Sequence, residues 1–108
     1  MVNEAIINSV RKYLKILGTE NILANFAVIF GSQTNGMADE WSDIDLLVVS
    51  PTYDKPPDRN DVIKLWRIAA KVDSRIEPIP CGLMEWEEEG VDAVVDAAKR
   101  EGTVVRFE

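Results

Sequence analysis

Two acids, Asp43 and Asp45, stand one residue apart at the head of the apolar run Leu46-Leu47-Val48-Val49. This placement constrains the fold more than any other feature of the chain. A short run of leucine and β-branched residues ended by a turn reads as a buried strand, so residues 42–50 are assigned to one. Side chains alternate along a strand, which puts Asp43 and Asp45 on one face, roughly 6–7 Å apart at the backbone. Ile44, Leu46 and Val48 point to the other face and can bury there. A buried carboxylate without a partner is costly, and two on one face repel unless a cation sits between them. The strand therefore calls for a sheet with one face closed by packing and, at its acidic end, something positive.

The rest of the chain supplies such a sheet. Ile6, Val10, Tyr13, Leu14 and Leu17 recur at three- and four-residue steps, predicting a helix over 4–17 with Asn3 as its cap and Gly18 as its stop. Arg11, Lys12 and Lys15 fall mostly on its solvated face. Residues 25–30, Asn-Phe-Ala-Val-Ile-Phe, form a first strand ended by Gly31, and the eleven residues 31–41 are too few for a full crossover helix. A proline-rich loop over 51–60 leads to a helix over 61–72, with Val62, Leu65, Trp66, Ala69 and Val72 on its inner side. Residues 74–80 form a third strand, in which Pro78 and Pro80 signal an edge or an early end. Residues 83–102 are helical in composition, broken near Gly90, and a short strand closes the chain. The order predicts an α/β (α+β) fold with a small mixed central sheet flanked by helices, in one domain over 1–108.

Composition removes several functions. There is no histidine, which excludes Ser-His-Asp, Cys-His and histidine-ligated zinc chemistry. The lone Cys81 has no partner for an internal disulfide and no histidine base, so it reads as a packing residue in a reducing compartment. With 12 basic and 19 acidic residues the net charge is -7, which argues against a broad surface tracking DNA or RNA. One bound nucleotide is compatible with that charge if a divalent ion carries it. No run approaches the length of a membrane span, and residues 1–13 lack a signal layout. A cytoplasmic protein is expected. The acidic run Glu85–Glu89, interrupted by Trp86, reads as a solvated helix face rather than a metal or partner site.

Hard divalent ions such as Mg²⁺ take oxygen ligands, often carboxylates plus substrate phosphates. Two of them about 3.5–4 Å apart suit in-line nucleotidyl transfer. A phosphate cradle stands where that chemistry needs one: Gly31 lets the backbone approach a phosphate, exposed N–H groups and the Ser32 hydroxyl can donate to it, and Gly36 releases the chain from the turn. Glu77 in Ser-Arg-Ile-Glu-Pro is out of character for pure packing, whereas Asp73, just before that strand, suits a helix end or turn.

Gly31-Ser32, ten residues, then Asp43-Ile44-Asp45 followed by Leu-Leu-Val-Val resembles the signature of the minimal nucleotidyltransferases of the polymerase beta-like superfamily. The ending Ala-Ala-Lys-Arg-Glu-Gly (residues 97–102) is similar to that of small members, and Arg-Ile-Glu-Pro (residues 75–78) to the third-acid strand of one subgroup. The resemblance implies a triphosphate-binding set of Gly31, Ser32, Gly36 and Ser42, catalytic, metal-holding acids Asp43 and Asp45, and a third acid from a later strand, for which Glu77 is chosen with Asp73 as its rival. It further implies two Mg²⁺ ions (or Mn²⁺), ATP as nucleotide, and transfer of AMP to a hydroxyl with release of pyrophosphate. Asn35 departs from the pattern, standing where many relatives carry arginine, so Arg67, Lys71 and Arg75 become candidates for the phosphates. Small relatives pair with an all-helical HEPN-class protein as its antitoxin, which implies a partner that supplies the acceptor. A homodimer through the edge near residues 75–80 is a further option. The alternative expectation is a catalytically weak or inactive nucleotide-binding module that neutralises such a partner by contact.

Overall fold

A computed structural model of the chain describes residues 2–34, 42–90 and 92–106. Helix α1 (Glu4–Thr19) is followed by strand β1 (Phe26–Phe30) and a 3₁₀ turn (Gly31–Gln33). Strand β2 (Ile44–Ser50), a second 3₁₀ turn (Pro51–Asp54), helix α2 (Arg59–Val72) and strand β3 (Ile76–Gly82) come next. Helices α3 (Leu83–Glu87) and α4 (Ala93–Glu101) and strand β4 (Thr103–Val105) complete the order.

The four strands form one mixed sheet in the order β3-β2-β1-β4. β1 runs antiparallel to both β2 and β4, whereas β2 and β3 are parallel. Parallel neighbours need a long connection, and α2 provides it. Alternation divides the apolar residues between two layers. Ala27, Ile29, Ile44, Leu46, Val48 and Ile76 pack with α1 and α2 in the larger core. Phe26, Val28, Leu47, Val49 and Cys81 pack with Val95 and Ala98 of α4, while Leu83 and Trp86 of α3 lie against them. Asp45 and Glu77 have the parity of Leu47 and Cys81, so they emerge on the α3/α4 side of the sheet. At the other end of that face Trp86 meets Phe26 edge-on, with ring centroids 5.3 Å apart, and Lys99 lies over the Trp86 ring.

Local chemistry sets the element ends. Asn3 Oδ1 accepts from the Ala5 amide at 2.7 Å and starts α1. Gly18 is not its stop. The helix continues to Thr19 and is closed by Asn21, in the left-handed region at φ 67°, with Ile22 N donating to Leu17 O at 2.9 Å. α2 begins two residues before its expected start because Asp58 and Asp61 form a reciprocal cap, each side chain accepting from the other's amide. Its inner face is Leu65, Ile68 and Ala69; Trp66, expected inside, is 45% exposed. The phenol of Tyr13 donates to Leu65 O at 2.9 Å and ties α1 to α2. β3 is an edge strand, as its prolines suggest, but it does not end early: pairing with β2 continues to Gly82. A proline on an edge strand can turn its missing N–H away from the ladder. α4 turns into β4 at Gly102, where a Cβ would collide with Ala98 O and Val28 Cγ1. Among the described residues no helix is long and apolar enough to cross a membrane.

Candidate active site

β1 ends at Phe30, and the chain turns at Gly31 with φ +73°, a conformation that costs any residue with a Cβ. The turn is held by Thr34, whose amide and hydroxyl both donate to Gly31 O at 3.0 and 2.9 Å. A Cβ on Gly31 would run into Asp45 Oδ2 and lie 3.2 Å from Asp45 Cγ. Glycine is therefore required twice here, for its φ and because the Asp45 carboxylate lies against the turn. Ser32 follows within the same turn and is half-buried. Gly36 lies outside the described residues, as does Asn35.

Asp43 does not sit inside the strand as expected. β2 begins at Ile44, whose amide donates to Arg75 O at 2.8 Å, and Asp43 is exposed just ahead of it beside a half-buried Ser42. What holds that approach is Gln33. The residue is only 7% exposed, and its Nε2 donates to Ser42 O at 3.3 Å and to Asp43 O at 3.2 Å. The sequence carries no clear signal for this role, since a glutamine after Gly-Ser is an ordinary turn residue.

In the parallel ladder Asp45 is the register partner of Glu77. The Glu77 carboxyl is pushed above the usual carboxylate range, first by desolvation and then by the negative charges of Asp43 and Asp45; a hydrogen bond shared with Asp45 adds to the shift. The three acids thus act on one another although they come from two strands and a strand entry. Asp73 is differently placed. Its Oδ1 accepts from the amide and Nε of Arg75 at 3.0 Å each, and its Oδ2 accepts from Nη2 at 2.7 Å. The Arg75 bonds hold the Asp73 carboxyl below its usual value. Both of its oxygens are committed to a local ion pair. Arg67 and Lys71 are exposed on α2, the helix packed on the sheet face opposite to Asp45 and Glu77.

Among the described residues, no three acidic or cysteine side chains are gathered closely enough to enclose a metal ion as they stand. The donor chemistry nevertheless fits a hard divalent ion: all three candidate groups are carboxylates, and the repulsion that raises Glu77 is what a bound cation relieves. Cys81, by contrast, is buried in the smaller core with its thiol pushed up to about 12, chiefly by burial, and offers no thiolate.

A strand-end glycine turn is thus seated against one of a set of carboxylates carried on adjacent strands. The family model described as nucleotidyltransferase domain matches residues 10–105, and the chain belongs to that family, within the polymerase beta-like superfamily. The family supports a transferase carrying out nucleotidyl transfer. No curated protein matches the chain.

Proposed function

We propose that the chain is a minimal nucleotidyltransferase that moves AMP from ATP to a hydroxyl on a small helical partner of the HEPN class, acting as that partner's antitoxin. The observation that carries the reading is the seating of Gly31 directly against Asp45, itself in register with Glu77. A triphosphate laid on the Gly31-Ser32 turn is thereby brought beside the carboxylates.

In the reaction, the acceptor oxygen forms a bond to the α-phosphorus while the bond from that phosphorus to the α–β bridging oxygen breaks. The leaving electron pair departs with pyrophosphate. Glu77, whose carboxyl is raised by desolvation and by the neighbouring acids, takes the hydroxyl proton. The Gly31-Ser32 turn orients the tail through its N–H groups and the Ser32 hydroxyl, and Ser42 and Gly36 belong to the same binding set on this reading. Asp43, Asp45 and Glu77 would hold two Mg²⁺ ions, which when bound acidify the acceptor hydroxyl and offset the charge on the leaving group. The protein works in the cytoplasm on this reading.

The test uses ATP labelled on the α-phosphate, with Mg²⁺, in a lysate of the native host. Wild type is compared with Asp43→Asn/Asp45→Asn. A labelled band seen only with wild type establishes AMP transfer and identifies the acceptor. Silence from both, with both folded and a partner still bound, overturns the enzyme reading in favour of neutralisation by contact.

A further inference from the structure

The carboxylates of the site are not equally well supported. Asp45 is inside β2, paired with Phe30 on one side and Glu77 on the other. Asp43 is outside the ladder, exposed just ahead of the strand. The Gln33 amide, buried beneath the Gly31 turn, reaches the segment carrying Asp43 from the side and donates from Nε2 to two consecutive carbonyls, Ser42 O and Asp43 O. The contact joins residues nine and ten apart in the chain, so it links the phosphate turn to the acid-bearing segment without the intervening residues. Turn and segment are then one mechanical unit, since Thr34 locks the same turn to Gly31 O.

We propose that Gln33 is a positioning residue: its buried amide fixes the backbone at Ser42 and Asp43, and so aims the Asp43 carboxylate at the divalent ion shared with Asp45 and Glu77. The aiming at the ion rests on the metal-holding role proposed above; the fixing of the backbone does not. A side chain of equal length that cannot donate, as in Gln33→Met, removes both Nε2 donations to these carbonyls and loosens the segment. Neighbouring groups that orient ligands in this way are typically worth a tenfold to hundredfold factor in metal affinity.

The experiment has two arms on the full chain. In the metal-free protein, ¹⁵N relaxation of Gln33→Met is expected to drop the order parameters at Ser42 and Asp43 from about 0.85 to below about 0.6, with Leu46 to Val49 unchanged. Titration with Mn²⁺ alone is expected to give a Kd about tenfold weaker than wild type. Gln33→Glu, of the same shape but without a donor when ionised, replaces the methionine variant if that one fails to fold. Unchanged order parameters at Ser42 and Asp43 in a folded variant overturn the proposal. Loosened amides together with a wild type that binds no Mn²⁺ uphold the tie but overturn its link to metal, and with it the metal-holding role of the carboxylates. A wild-type Kd in a variant with loosened amides overturns only the aiming of Asp43.

Discussion

Asp45 and Glu77 stand side by side across the parallel pairing of β2 and β3, and the far side of the Asp45 carboxylate is closed by the bare Cα of Gly31. Two acids in register on neighbouring strands are a liability for folding, because like charges directly opposite destabilise a sheet. The sheet tolerates them because the pair emerges beyond the part of that face covered by Val95 and Ala98 of α4, where both remain partly exposed. A site of this kind trades stability for charge density, and the trade can be measured.

Glu77→Gln should separate the two sides of it. The folded-state pKa of Glu77 is raised above its ordinary 4.5, so the folded chain holds this proton more tightly than the unfolded one. Its contribution to stability is complete below pH 4.5 and is lost as pH rises through the raised value. The metal-free variant should therefore melt higher than wild type near neutral pH, and the difference should vanish as pH falls below the ordinary value. Turnover should fall by about 100-fold or more if Glu77 is the base. Thermal melts at the two pH values and the α-labelled ATP assay check both halves; a variant with wild-type turnover would remove Glu77 from the site.

The element order and the face on which Asp45 lies were legible because both depend on local pattern, whereas the strand assigned from residue 42 took in Asp43, which lies just ahead of it. The apolar runs over 25–30 and 42–50 could bury only as strands, and parity alone placed Asp45 on the face opposite Ile44 and Leu46. What was not legible depends on contacts distant in sequence. The residues of α2 support an apolar stripe through Trp66 as well as one through Ile68, and only packing against the sheet selects the second. Gly18 carried the ordinary signal for a helix end, yet Asn21 supplies the left-handed residue three positions later. The reach of Gln33 to Ser42 and Asp43, and the closeness of Gly31 to Asp45, exist only once β1 and β2 are paired.

Gly31→Ala should cost more activity than stability. The left-handed backbone alone is worth about 1–3 kcal/mol of strain once a Cβ is present, and the new methyl displaces the Asp45 carboxylate as well. Gly90 provides the control, because it has φ +74° but nothing within 4 Å of where its Cβ would stand. Gly90→Ala should therefore lose a similar stability while keeping turnover. Gly31→Ala should lose turnover by at least about tenfold beyond that. Denaturant melts and initial rates on the two variants decide it; equal activities would show that the Asp45 contact is irrelevant to catalysis.

Cys81 should be chemically silent in the native protein. It is 1% exposed on β3, and burial, with Glu85 nearby, pushes its thiol up to about 12. The thiolate is the reactive form, so an aromatic disulfide reagent near pH 8 should label it only as fast as the protein opens. Rapid labelling without denaturant would show that the face closed by α3 is open in solution.

Asp73→Asn should give the pattern opposite to Glu77→Gln. Both Asp73 oxygens are held by Arg75, and the bonds lower its pKa from the ordinary 3.8. A depressed acid contributes stability above its unfolded value and loses it as pH falls through the folded one. Near neutral pH the asparagine variant should therefore be less stable than wild type, by on the order of 1–2 kcal/mol for a charge-assisted pair that is partly solvated. The gap should close as pH falls below 3.8. Turnover should stay within about threefold of wild type, since no catalytic step needs a carboxylate already bound to Arg75. Urea melts at several pH values and the same transfer assay test this. Loss of activity in a folded Asp73→Asn variant, with Glu77→Gln active, would move the third acid of the site from β3 to the residue that closes α2.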